Sequence, residues 1–189
     1  MKPFIVHSAG KCGSISVHNT LLKAGYNAKH FHFGKDIPKR ITKAYVITPI
    51  RELLGQNISA YFENHCQKGI PTMEDFIQKW GNDTRCELFF DTEYPRWNID
   101  VYSQPFDTDR GWQIYKNGNV QALVIRLEDF GAWGEAFRAL TGRAAPTLLH
   151  IHKTRNRHYE QFRNKQIFPD WYRARLHQSK LHKHFYSTK

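Results

Sequence analysis

Cysteine is scarce in this chain, with three in 189 residues: Cys12, Cys66 and Cys86. Three widely spaced thiols cannot build a disulfide framework, so a reducing compartment is expected. No Cys-x-x-Cys pair occurs, which removes a common zinc spacing. Nowhere is there the run of ~20 apolar residues that a membrane helix requires. The opening Met1-Lys2-Pro3 leads into a short apolar stretch, not a secretory core segment, and the expected location is the cytoplasm. Acidic residues are also few, 17 Asp+Glu against 28 Lys+Arg, for a formal charge of +11. That excess predicts an anionic partner: a phosphorylated cofactor, an acidic glycan, a nucleic acid or a membrane surface. Repeats, low-complexity tracts and linkers are lacking, so residues 1–189 are expected to form one domain.

What is present is enough apolar material for a packed core, 40% hydrophobic and 14% aromatic,. Phe4–His7 reads as a short buried strand, followed by a small-residue loop and a helix to about Ala24, with Gly25 as its stop. Ala28–Phe33 alternates as a second strand. Asp36–Arg40 is a basic turn or short helix, and Ala44–Thr48 is a third strand that Pro49 should end. Helical spacing follows from Arg51 to His65. Thr72 caps a helix running to about Trp80. Asp83–Asp109 is rich in aromatics and turn residues. Phe89, Phe90, Tyr94, Trp97 and Tyr102 there either line an acceptor cleft or fill the core. Trp112–Tyr115 and Val120–Leu127 flank Asn117-Gly118-Asn119 as a hairpin. Glu128 begins a helix to Leu140, stopped at Gly142. Leu148–His152 precedes the basic segment Lys153–Arg157, and helices are expected over His158–Lys165 and Asp170–Phe185. Strand, helix, strand in this order gives an α/β start with a crossover helix, so ligands are expected at the carboxyl ends of the strands.

The first strand, its loop and the helix start read Phe4-Ile5-Val6-His7-Ser8-Ala9-Gly10-Lys11-Cys12-Gly13-Ser14-Ile15-Ser16. Glycines let backbone N–H groups approach an anion, the helix N-terminus carries partial positive charge, and a lysine adds a full one. The Walker A order, Gly-x-x-x-x-Gly-Lys-[Ser/Thr], is absent. Lysine instead precedes the second glycine, as Lys11-Cys12-Gly13-Ser14. An ordinary glycine turn is the plain alternative. That order resembles the 5′-phosphosulfate loop of sulfotransferases that use 3′-phosphoadenosine-5′-phosphosulfate (PAPS).

A second motif strengthens the resemblance. In that superfamily an arginine after the third strand and a serine on the next helix hold the cofactor's 3′-phosphate, and Arg51 and Ser59 sit at the same spacing. The chemistry is sound, because a guanidinium makes paired charge-assisted hydrogen bonds to phosphate. The plain alternative is a solvated arginine and a helix-surface serine. Asn57–Asn64 is similar to the corresponding helix of bacterial capsular polysaccharide synthesis proteins, a branch marked by an Asn-Lys-Trp-Tyr-Ser motif. Asn156-Arg157-His158-Tyr159-Glu160 stands in that place, where Asn156 and Tyr159 match. Phe168–Tyr172 and the run from Ser179 to Ser187 resemble that family's tail.

The resemblance implies a P-loop-like, three-layer α/β fold with a mainly parallel sheet and transfer of a sulfuryl group from PAPS to a hydroxyl acceptor such as a glycan. It implies no metal. Lys11, Cys12, Gly13, Ser14, Ile15 and Ser16 would hold the 5′-phosphosulfate, Arg51 and Ser59 the 3′-phosphate, and Lys153, Arg155 and Arg157 would close over the nucleotide. The acceptor hydroxyl needs a base. His32 is the candidate, with His30, Glu63 and His65 as rivals. His30-x-His32 also has the spacing of a zinc pair or of two half-buried strand histidines. Arg126 with Glu128 and Asp129 is a ligand contact or a structural ion pair. Two other functions compete: a P-loop nucleotide kinase, and a basic nucleic-acid-binding protein with aromatics interleaved among cations from Tyr159 onward.

Overall fold

The computed structural model describes residues 2–34, 41–64, 71–151, 158–164 and 167–187. The parallel strands are β1 (Phe4–Ser8), β2 (Ala28–His32), β3 (Lys43–Ile50) and β5 (Asn119–Arg126), and β4 (Trp112–Asn117) joins as an antiparallel edge. Their spatial order is β2-β1-β3-β5-β4. The helices are α1 (Ser14–Lys23), α2 (Leu53–Asn64), α3 (Met73–Trp80), α4 (Phe89–Glu93), α5 (Trp133–Thr141), α6 (Tyr159–Arg163), α7 (Asp170–Gln178) and α8 (Lys180–Phe185). The fold is α/β, with a mostly parallel central sheet and helices packed against it.

The strands are apolar at successive positions because both faces are covered. Ile5, Val46, Ala122 and Val124 enter one core with Ile58 of α2, Phe76 of α3, Tyr172 of α7 and Phe185 of α8. Phe4, Val6, Ile47, Leu123 and Ile125 enter the other with Val17 and Leu21 of α1 and Phe137 and Leu140 of α5. Of the aromatics in the middle of the chain, Phe89, Phe90, Tyr94 and Trp97 are buried in the first core, with Tyr102 packed against it. They fill the interior.

Several boundaries differ from expectation. Pro49 does not end β3, which runs on to Ile50. The Tyr45 amide donates to the Pro3 carbonyl, so odd-numbered β3 residues point their amides toward β1. The β1–β3 pairing ends at Val6↔Ile47, while β3 and β5 remain paired to Ile50↔Arg126. Pro49 therefore lacks its N–H where no ladder partner requires one. Helix α2 starts at Leu53 rather than Arg51, because the Glu52 carboxylate accepts from the amides of Leu54 (3.1 Å) and Gly55 (3.0 Å) as a cap,.

The helix expected from Glu128 is split into a 3₁₀ segment, Leu127–Ala132, and α5, with Asp129 in a non-helical conformation. Arg126 holds Asp129 there as an ion pair and also donates to the Thr108 carbonyl at 2.6 Å. A Cβ on Gly111 would lie 2.3 Å from Asp129 Cγ, so that turn needs glycine. The last expected helix is two, α7 and α8, broken at Ser179, whose hydroxyl accepts from the His182 amide at 3.1 Å. By contrast, Thr72 caps α3 as the spacing predicts, through the Asp75 amide at 3.1 Å, and the β4–β5 hairpin turns at Gly118. The basic stretches Asp36–Arg40 and Lys153–Arg157 lie outside the described residues, as do His65, Cys66 and His152.

Candidate functional site

β1, β2, β3 and β5 end side by side at Ser8, His32, Ile50 and Arg126. A cavity of about 530 Å³ opens at this edge. Lys11, Gly13, Ser14, Ile15 and Ser16 reach it from the β1–α1 turn, Arg51 and Ser59 from the β3–α2 connection, and His32 from β2. Lys11 and Arg51 are 40 residues apart in sequence, yet the parallel pairing of β1 with β3 brings them to one hollow.

The turn owes its shape to backbone conformation. Gly10 (φ 92°), Lys11 (φ 57°) and Gly13 (φ 83°) are all left-handed. A side chain at Gly13 would also meet Leu127 Cδ1 at 2.9 Å and the Phe130 ring at 3.1 Å. Gly13 is the N-cap of α1 and no side chain caps that end among the described residues. The first amides of α1 thus remain available to an anion. The Gly10 carbonyl accepts from Gln56 Nε2 at 2.7 Å and from the Cys12 thiol at 2.9 Å, which pins the turn to α2. Cys12 is expected to offer its main-chain amide to the ligand; its side chain is buried and does not line the cavity. Burial pushes its thiol well above the usual range, so it stays protonated and serves the turn as a donor,.

Lys11 Nζ lies 3.0 Å from Glu63 Oε1 of α2. Glu63 is 57% exposed, so the pair is weak and easily exchanged,. Arg51 Nη2 donates to the Tyr159 hydroxyl at 3.1 Å, linking the cavity to α6. A Cβ on Gly55 would stand 3.1 Å from Arg51 Nε, so this glycine makes room for the guanidinium.

Ser14 Oγ is hydrogen-bonded to His30 Nε2 at 3.0 Å. The Ser16 hydroxyl is engaged by the main chain of Ile151, accepting from its amide at 3.1 Å and lying 3.3 Å from its carbonyl. Thr20 Oγ1 accepts from the Leu149 amide at 2.9 Å. Together they strap residues 149–151 along α1, beside the start of the basic segment. A 5′-phosphate contact from Ser16 would have to compete with that strap.

The histidines divide by environment. His30 and His32 share a strand face, their rings 4.4 Å apart, with His18 stacked on His30 at 5.4 Å. Burial, then the neighbouring imidazoles, pushes His30 down to about 4, so it is neutral at pH 7. His32 lines the cavity beside the turn, with Nδ1 3.9 Å from where a Gly10 Cβ would be. His30 is not among the cavity-lining residues and supports Ser14 instead. Among the described residues no group of three or more His, Cys, Asp or Glu is arranged to hold a metal ion. Arg126 is the centre of a structural network with Asp129, Thr108 and Phe185.

The spacing of motifs misses Gln56, Gly55 and Tyr159's role at Arg51. One sequence signal was available: a glycine in the first turn of a helix costs about 1 kcal/mol and asks for a packing reason. No protein-family model, curated protein or solved structure matches this chain.

Proposed function

We propose that the cavity binds the adenosine 3′,5′-bisphosphate portion of PAPS, and that the protein is a sulfotransferase of the P-loop-like kind acting on a hydroxyl acceptor, with a glycan as the expected class. The observation that carries this reading is the convergence of Lys11 and Arg51, on different strand–helix turns, upon one hollow of about 530 Å³. Two phosphate groups need two cationic ends, and a site of this size accommodates a nucleotide. The uncapped start of α1 and the left-handed turn supply main-chain donors to the first phosphate,. Arg51, steadied by Tyr159, and Ser59 supply the second.

PAPS, as donor substrate, brings an activated sulfuryl group. The acceptor oxygen forms a bond to sulfur as the bond from sulfur to the 5′-phosphate oxygen breaks. Negative charge grows on that oxygen, which Lys11 and the amides of Cys12, Gly13 and Ser14 would stabilise. The acceptor proton passes to a base, for which His32 on the cavity wall is our candidate, with Glu63 its rival. Glu63 has to leave Lys11 for the phosphate to reach it.

Isothermal titration with adenosine 3′,5′-bisphosphate tests this. We expect saturable binding, weakened about 10- to 100-fold by Lys11→Ala and by Arg51→Ala, since each removes a hydrogen bond to a charged group worth ~1.5–3 kcal/mol. ATP–Mg²⁺ binding in preference to the bisphosphate would favour a kinase. Salt-sensitive binding to random DNA with no nucleotide preference would favour a nucleic-acid-binding protein.

A further inference from the structure

Two hydroxyls stand in the first turn of α1, on Ser14 and Ser16, and both residues line the cavity. Ser16 is committed to the main chain of Ile151. The Ser14 hydroxyl has His30 as its one hydrogen-bond partner among the described residues, through Nε2 at 3.0 Å. The sheet fixes that pairing. His30 stands opposite Val6 in the β1–β2 register, and Val6 enters the core beneath α1, so the His30 ring faces that helix,. Two further imidazoles hold the ring in place. His18, one turn after Ser14 on α1, stacks on it with ring centres 5.4 Å apart, and His32 meets it edge-on at 4.4 Å,. His18 is itself anchored, donating from Nε2 to the Ala28 carbonyl 3.4 Å away.

The bond between Ser14 and His30 holds one proton, and the atom that supplies it decides what the hydroxyl can do. His30 is neutral at pH 7, so its ring carries a single N–H,. With that proton on Nδ1, Ser14 donates to Nε2 and only oxygen lone pairs are left for the cavity, which repel an anion. With the proton on Nε2, His30 donates and the Ser14 proton is released to the cavity. We propose that His30 is a positioning residue whose Nε2–H tautomer turns the Ser14 hydroxyl into a donor to the anionic group bound at the start of α1. Ser14, and not Ser16, is then the hydroxyl that meets the 5′-phosphate. His30 acts through it without touching the ligand, in keeping with its place outside the cavity lining. The inference rests on the nucleotide reading for the identity of the anion; the geometry of the pair does not depend on it.

The test is NMR of the whole protein, labelled with ¹⁵N-histidine, at pH 7. It is titrated with adenosine 3′,5′-bisphosphate and, in parallel at constant ionic strength, with inorganic sulfate in place of chloride. The signal that His30→Gln removes identifies this residue among the eleven histidines. At saturation the ring is expected to carry its proton on Nε2. Calorimetry with the same anions gives the second readout. Affinity should fall about tenfold in Ser14→Ala, which loses one hydrogen bond to a charged group, and at least about threefold in His30→Ala. The double variant should be no weaker than Ser14→Ala alone. His30→Gln, whose amide can donate to the same oxygen, should stay within about twofold of the native protein. A ring protonated on Nδ1 at saturation, losses that multiply in the double variant, or a His30→Gln protein that binds no better than His30→Ala each overturns the inference. If sulfate alone binds and gives these responses, the nucleotide reading falls and the role of His30 stands. If the bisphosphate binds without them, the role of His30 falls and the nucleotide reading stands. If neither anion binds, both fall.

Discussion

The Gly10–Ser16 arm of the cavity acts through its main chain, whereas the Arg51–Glu63 arm acts through side chains. On the first arm, left-handed backbone at Gly10, Lys11 and Gly13 shapes the turn, and only Lys11 contributes a charged side chain. On the second, α2 is an ordinary helix, and Arg51, Gln56, Ser59 and Glu63 do the work. The difference teaches where each arm is vulnerable. A main-chain site fails when its conformation is lost, so its weak point is a glycine. A side-chain site fails group by group.

The largest effect is therefore expected from Gly13→Ala. It forces an L-residue into φ 83° and drives a methyl to 2.9 Å from Leu127. Left-handed strain and overpacking together should lower stability by about 2–4 kcal/mol, read by urea denaturation. Gly25→Ala, at φ 77° with nothing within 4 Å, is the comparison and should lose only about 1 kcal/mol,. Equal losses would show that the contacts with Leu127 and Phe130 add nothing to the left-handed strain at Gly13.

Gln56→Ala tests the link between them. It removes the 2.7 Å bond to the Gly10 carbonyl but leaves the Cys12 thiol there, so a loss of about 1–2 kcal/mol is expected,. Hydrogen exchange should quicken at residues 11–13 before it does elsewhere. Uniform quickening would mean that Gln56 stabilises the core and not the turn.

Glu63→Gln should act in the opposite direction. Freeing Lys11 from a half-exposed pair should tighten adenosine 3′,5′-bisphosphate binding by up to about fivefold, with stability nearly unchanged,. Weaker binding in calorimetry would show that Glu63 assists the ligand.

A separate effect concerns acid. His30, held near 4 against an ordinary value of about 6.5, stays neutral in the folded chain while the unfolded chain takes up a proton,. Its contribution is intact above about pH 6.5 and is lost as pH falls toward 4, below which the loss levels off,. His30→Gln should flatten the stability profile in that window. An unchanged profile would exclude His30 as its cause.

Much of this molecule was legible from local pattern. β1, α1, β2, β3, α2, α3 and the β4–β5 hairpin follow from periodicity, glycine stops and a Thr72 cap. Errors gathered where long-range partners decide. Pro49 is tolerated in β3 because the β1–β3 pairing stops at Val6↔Ile47, short of it. The 3₁₀ break before α5 exists because Arg126 claims Asp129. Ser179 divides the last helix because its own hydroxyl caps α8 more usefully than it continues α7. For the site, Lys11, Gly13, Arg51, Ser59 and His32 could be singled out by motif spacing, and each lines the cavity. Gln56, Gly55 and the Ser16 strap could not, since each is defined by a contact with a residue far along the chain or by the path of another side chain.

By itself, the order of apolar runs, glycines and cations determined an α/β chain with its charged turns at strand ends, because strand and helix periods and left-handed turns are local properties. Only the tertiary structure decided that residues 11 and 51 share a hollow, that Glu63 occupies the lysine and that Ser16 holds residue 151 instead of standing open. Those outcomes depend on strand order and on competition among groups brought together by packing. Neighbouring residues cannot encode that competition.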